Sequence, residues 1–322
     1  MGKEKENRSE VSASNDYELE AVPQEQRKSF WSITMVWTGF VFVIASMMAG
    51  GGLSAGLKFS EIILVTILGN LFLSIIAILT AVMASKTGLT FGLITRYSFG
   101  NKGSRIASFF VPIVNIGWYT IQSAVYGHLI AQIFHLGAAG EDICMVASAI
   151  GIGIFAMIGM DALSLLGFVA IPNIIFLSIA TAVKASSVAG GMSNIFAYVP
   201  KNPISINAGL TIVIGTWIFS AATCIADIMR YAKNIKEASL SALLGVGGNS
   251  LLIICGAITS IAMNDSDLTN VLLGMGLIIP GLILMSTNIW TTNAANVYST
   301  SLNLSNALHK DNKKVTFIVL II

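Results

Sequence analysis

The sequence predicts an all-α protein threaded repeatedly through a membrane, and three observations carry that prediction. Of 322 residues, 55% are apolar and only 11% charged, at a mean hydropathy of +0.79, a balance outside the range of soluble domains. The apolar residues gather into eight runs, most of which reach the ~20 residues that a helical span needs. The basic residues gather between alternate runs, so that fifteen of the 18 fall on the side of the amino terminus and only Lys58, Lys184 and Lys201 on the other. That asymmetry predicts a multi-pass protein of the cell (inner or plasma) membrane with a cytoplasmic amino terminus.

Residues 1–28 hold seven acidic and five basic residues with almost no apolar content, which predicts a disordered cytoplasmic tail. The tail is too long and too acidic for a signal peptide, so the first span stays in the protein. The runs that follow are Phe30 to Leu57, Ile62 to Met83, Ile106 to Phe134, Ile143 to Gly159 and Leu163 to Ala182, then Gly209 to Ile228, Leu240 to Met263 and Val271 to Val297. A ninth begins at Val315 and reaches Ile322, which reads as a chain cut off inside a span.

Spans one and six are expected to be interrupted. The first carries Gly39, Ser46 and the run Gly50 to Gly52, the sixth Gly215, Ser220 and Thr223 around Trp217. Glycine and hydroxyl residues let a membrane helix unwind where the freed backbone lines a protected cavity. The same small residues also serve close helix packing. Broken helices five spans apart, at matching positions, are the pattern of two inverted repeats: residues 29–184 as the first, with spans one to five, and 208–322 as an incomplete second.

Span three places Asn115, Trp118 and Gln122 at spacings of three and four, so an indole and two amides share a helical face. Trp118 lies about twelve residues into its run, near the midplane at about 1.5 Å per residue, unlike the interfacial Trp31 and Trp37. A buried indole between amides suits a flat heterocycle, and it also suits a packed core. Span eight contains STNIWTTNAANVYS, in which Asn288, Thr291, Thr292 and Asn296 fall on one face. Such a stripe must meet protein, water or a solute, because an unsatisfied polar group in hydrocarbon costs several kcal/mol. Interhelical hydrogen bonding is one reading; neutral oxygens without a carboxylate also suit a weakly held alkali cation.

The remaining ionisable residues point to no catalysis. Asp161 and Asp227 are expected at helix ends, and His128 and His135 at an interface without a partnering carboxylate. Cys144, Cys224 and Cys255 read as small packing residues, and no metal-ligating or disulfide spacing is present. The sequence has no P-loop, GxSxG or HExxH motif, so neither ATP-driven transport nor hydrolysis is indicated, and a membrane receptor or embedded enzyme is the out-of-class alternative.

From about Ser32 to Asn306 the chain resembles the nucleobase cation symporter family, in particular its bacterial cytosine permease branch. The resemblance is carried, in order, by GFVFVIASMMAGG, KTGLTFGLITRYSFGNKGS, NIGWYTI, TWIFSAATCIADIMRYAKN and LNLSN. It implies a leucine-transporter-type inverted-repeat fold, here truncated after the start of the ninth span, and a non-enzymatic importer of a nucleobase by sodium symport. Sodium is the coupling ion, no cofactor is implied, and the partners are the base, the ion and the bilayer, with no nucleic acid. On the substrate side it implies Trp118 and Trp217 stacking on the two faces of the base, with Asn115, Gln122, Phe219, Ser220 and Asn288 around it. On the cation side it implies carbonyls near Gly39 and Phe42 with Asn288, Thr291 and Thr292. The chain has Asn115 where cytosine permeases carry glutamine and Trp217 where they carry phenylalanine. Another pyrimidine, a purine, an allantoin-like base or a vitamin precursor therefore stays open beside cytosine, as does a proton as the driving ion.

Overall fold

The computed structural model describes residues 17, 19–156 and 160–308, and among them no β-strand occurs. The helices are α1 (Phe30–Val41), α2 (Ile44–Ser54), α3 (Phe59–Thr87), α4 (Phe91–Ile133), α5 (Ala138–Ala156), α6 (Met160–Val188) and α7 (Met192–Ala197). After them come α8 (Ile206–Ala222), α9 (Cys224–Met229), α10 (Ile235–Gly248), α11 (Ser250–Met263), α12 (Leu268–Gly274) and α13 (Ile278–Leu308). By length and apolar character α3, α6 and the pair α10–α11 each suffice to cross a membrane, and α1 with α2 makes a fourth crossing bent by 44°. The other expected spans are shorter or carry polar stripes. The start of a ninth run at Val315 lies outside the described residues.

Side-chain caps mark where the helices begin. Ser29, Thr90, Ser205, Asn234 and Asp267 each accept from a backbone N–H in the first turn of the helix that follows, satisfying donors that have no intrahelical partner. Within α4, Gly100 turns the chain at φ 64°, ψ −178°, so a short helical stretch from Phe91 precedes the crossing itself. Pro280 sits in the first turn of α13, where the missing N–H costs nothing.

The helix α13 is the centre of the molecule. From Thr291 to Leu302 every residue is buried, polar ones included, and the helix packs against α4, α6, α5 and α1. A helix buried on all sides has to satisfy its polar groups on its neighbours. Asn293 does so by donating to Tyr119 O (3.2 Å) and Ser123 Oγ (3.1 Å) of α4. Elsewhere in the core α2 and α11 touch backbone to backbone. A Cβ at Gly50 would lie 2.0 Å from Ile253 O, and one at Gly256 the same distance from Met47 O.

Disorder was expected through residue 28, and the end of that segment is ordered instead. Val22 is buried, with its N–H on Gly88 O, and Lys28 N–H donates to Tyr231 O. Arg27 donates to three carbonyls, those of Val22, Ser85 and Ala232. The composition of residues 1–28 hid this because an arginine that collects backbone carbonyls reads in sequence like any solvated charge.

Candidate binding site between the interrupted spans

Both expected interruptions are present, at positions other than the glycines. The first span breaks at Phe42 (φ −77°, ψ 79°) and the extended Val43, between α1 and α2. The sixth breaks at Thr223 (φ −122°, ψ −71°), six residues past Trp217, and Gly215 lies inside the regular helix α8. A helix stops where its backbone groups find other partners. In span one that partner is Asn288 of α13, whose Oδ1 accepts from Ile44 N–H at 2.5 Å and so caps α2 from outside. In span six Thr223 returns to its own helix, with both its N–H and its hydroxyl on Phe219 O.

A small pocket, with only about 10 Å³ of free space, lies where these elements meet. Its walls include Trp118 and Gln122 from α4, Trp217 and Ser220 from α8, and Thr292 and Asn296 from α13. Trp217 is 5% exposed; its indole N–H donates to Ser46 Oγ at 3.1 Å, and its ring meets Phe40 edge to face at 5.9 Å. The buried Gln122 has an Oε1 with no hydrogen-bond partner among the described residues. A buried acceptor without a partner is costly unless a ligand donates to it.

Asn115 faces elsewhere. Its amide contacts Cys224 Sγ at 3.5–3.6 Å and Asn296 O at 3.5 Å, and it lines a second cavity between α4, α5 and α13. Spacings of three and four place it on one face with Trp118 and Gln122, but Asn115 and Gln122 are two turns, about 10 Å, apart along the axis, and at that height Asn115 meets a different cavity. Phe219 contributes its carbonyl to the Thr223 turn, and Asn288 contributes its side chain to the α2 cap. Phe40, Val43, Ala45 and Thr216 complete the pocket; no sequence signal singled them out, since they are ordinary apolar or hydroxyl residues until the break is located.

Four oxygens converge on the other face of the α1–α2 break. Thr292 Oγ1 lies 3.3 Å from Gly39 O, 3.3 Å from Phe40 O and 3.1 Å from Asn288 O. One hydroxyl proton cannot serve three carbonyls, and the arrangement concentrates negative ends of dipoles at one point. Thr291 Oγ1 is next to it, on Asn288 O (2.9 Å) and Thr287 O (3.0 Å), while its methyl side packs on Gly39. Gly39, Asn288, Thr291 and Thr292 are thus together. For Phe42 the structure supplies the turn, with its N–H on Thr38 O.

At one end of the bundle Asp227 of α9 is fully buried and accepts from Phe91 N–H (3.0 Å), Ser299 Oγ (2.5 Å) and Asn303 Nδ2 (2.8 Å). Arg230, one turn on, donates to Asp227 O, to Tyr17 O and to the hydroxyls of Tyr231 and Tyr298. At the other end a wider cavity is lined by Met48, His128, Asp267 and Met285. His128 was expected to have no carboxylate partner. Its Nδ1 lies 2.7 Å from Glu141 Oε1 on α5, a pair separated by 13 residues and a turn, outside any helical spacing rule. Asp161 pairs with Lys28 at 2.5 Å. Among the described residues no group of His, Cys, Asp and Glu is arranged to hold a metal.

Comparison with known proteins extends these observations. A family model described as permease for cytosine/purines, uracil, thiamine, allantoin matches residues 21–322. The cytosine permease of Escherichia coli K12 is 33% identical over 311 residues, covering 96% of this chain and 73% of its own length. A purine-uracil permease of Arabidopsis thaliana is 28% identical over 120 residues, 37% of this chain and 20% of that one. Among solved structures, Mhp1, a nucleobase-cation-symport-1 family transporter in a closed conformation with bromovinylhydantoin bound, superposes with a TM-score of 0.83 at 17% identity, over 94% of this chain and 72% of that one. MhsT in complex with L-phenylalanine gives a TM-score of 0.71 at 12% identity over 92% of this chain and 78% of that one, a likeness of fold alone.

Proposed function

This chain belongs to the family of permeases for cytosine/purines, uracil, thiamine and allantoin, within its cytosine permease branch, and from that premise we propose that it imports cytosine or a related nucleobase by sodium symport. The observation that carries the reading is the pair of indoles, Trp118 and Trp217, lining one pocket together with the unpartnered acceptor of Gln122. Only about 10 Å³ of that pocket is free space, so a flat single or fused ring enters as its walls part, and the two indoles then supply its stacking faces. The base enters with Gln122 accepting from a ring or exocyclic N–H, while Ser220 and Asn296 supply further polar contacts. A ring lacking that donor would leave Gln122 unsatisfied and be rejected.

Sodium travels as co-substrate. The oxygens of Gly39, Phe40, Asn288, Thr291 and Thr292 form an uncharged, all-oxygen set, the kind a monovalent hard cation takes without a carboxylate. The cation draws the α1–α2 turn against α13, and the same turn carries the pocket residues Phe40, Val43 and Ala45. Filling one site therefore favours the shape the other needs.

Alternating access follows from the two ends of the bundle. The charge asymmetry supports reading the Asp227 end, where α9, α13 and the start of α4 are tied together, as cytoplasmic and the cavity near Met48 and His128 as outward-facing. Import requires that tie to open once both sites are filled. Uptake of radiolabelled cytosine, uracil, adenine and hypoxanthine by cells lacking their own permeases, with sodium or choline outside, tests the reading. Sodium-stimulated uptake of at least one base is expected; uptake of none, or uptake indifferent to sodium, removes it.

A further inference from the structure

The residue that ties the two interrupted spans together is on neither of them. Asn249 is fully buried at the junction of α10 and α11, in the glycine-rich GVGGNS of span seven. Its carboxamide touches Val41 O, Ser46 Oγ and Trp217 Nε1. The chemistry of two of these neighbours fixes its orientation, because a carbonyl can only accept and an indole N–H can only donate. The nitrogen therefore faces Val41 O (3.2 Å) and Ser46 Oγ (2.9 Å), and the oxygen faces Trp217 Nε1 (3.2 Å). The Trp217 N–H is shared between Asn249 Oδ1 and Ser46 Oγ, the latter at 3.1 Å.

Val41 and Ser46 bracket the break in span one. Val41 is the last residue of α1, two residues from Gly39, whose carbonyl faces Thr292, and Ser46 is in the first turn of α2. Trp217 is a wall of the pocket. One amide thus holds the outgoing carbonyl of the turn that carries the cation oxygens and, through its other end, the ring that would cover the base.

We propose that Asn249 is a positioning residue that sets the Trp217 indole by the state of the span-one turn, and so carries coupling between cation and base. The inference rests on the sodium symport reading above, and it makes a statement about Trp217 that needs no ligand. A displaced turn moves Val41 O and Ser46 Oγ together, and the amide transmits that displacement to the ring. Asn249→Ala frees the indole N–H and the Val41 carbonyl at once; Ser46→Ala removes only the bridging hydroxyl, with little change of volume.

The test uses the full chain purified in detergent. Subtracting the fluorescence of a Trp217→Phe variant isolates the emission of that indole among the five tryptophans. In the Asn249→Ala background this difference spectrum should shift, and its response to sodium should disappear, with Ser46→Ala shifting it in the same direction by less. Cytosine binding in sodium against choline reads the coupling: the sodium enhancement, about 5- to 150-fold in coupled two-site proteins, should fall to within about twofold of unity in Asn249→Ala. An unchanged Trp217 spectrum in both variants overturns the proposal, and so does a retained enhancement in folded Asn249→Ala protein. If the parent binds neither cytosine nor any other base of the panel, the symport reading falls, and the Trp217 spectrum still decides whether Asn249 positions the ring.

Discussion

Asn288 of α13 caps α2 by accepting the N–H of Ile44, so one helix supplies the start signal for another that is distant in sequence. The break in span one is thereby held by the same residue whose carbonyl faces Thr291 and Thr292. Replacing Asn288 by Ala should cost about 0.5–2 kcal/mol of stability, the usual value of a lost cap, and should weaken sodium dependence with it. Asn288→Ser, which offers a neutral oxygen acceptor without burying a charge, should lose less. Thermal melts of the two variants in sodium and in choline check this; equal melting of Asn288→Ala and parent in both salts would count against it.

Thr292 is the point where the carbonyls of Gly39, Phe40 and Asn288 meet. Thr292→Ala should move the sodium activation curve to higher concentration before base binding at saturating sodium is lost, because the two sites are linked by one equilibrium. Thr292→Ser keeps the oxygen and should stay close to the parent. A sodium titration of uptake in each variant decides it: an unmoved curve for Thr292→Ala removes Thr292 from the cation site.

In the proposed site Trp118 and Gln122 have different tasks. Trp118→Ala should weaken every base by roughly ten- to a hundred-fold, since base stacking on an aromatic is worth about 1–3 kcal/mol. Gln122→Leu should instead reorder the bases, penalising those that donate to its oxygen. Asn115→Gln should alter the ranking less than Gln122→Leu does, because Asn115 faces Cys224 and Asn296 O. Competition of unlabelled bases against the labelled one separates the three; a Trp118→Ala protein with the parent's affinities would falsify the clamp.

Gly256 lets α11 lie on the backbone of α2, where a Cβ would stand 2.0 Å from Met47 O. Gly256→Ala should force the helices apart and cost about 1–3 kcal/mol, the usual range for overpacking. Gly52, with open space at its Cβ position, should accept alanine with little change. Melting curves of the two variants side by side check the contrast; similar losses in both would count against the close approach as the cause, since alanine is the better helix former at either site.

The sequence by itself determined the class of protein, its repeated crossings and the polar stripe of span eight, because apolar run length, charge asymmetry and helical spacing are one-dimensional quantities. It also indicated that spans one and six are interrupted and that Trp118 and Gln122 share a face. Only the tertiary structure decided where the breaks fall. Gly39, Gly50 and Gly215 can all unwind a helix, but span one stops where another element meets the freed backbone, Asn288 at Ile44, and span six stops at Thr223, whose hydroxyl returns to Phe219 O of its own helix. The same reason separates Asn115 from its two neighbours in spacing and brings in Ser46 and Asn249, which no periodicity marks. A hydrogen-bond partner 200 residues or more away along the chain, as Asn249 is from Ser46 and Val41, leaves no trace in local spacing; it exists only once the helices have packed.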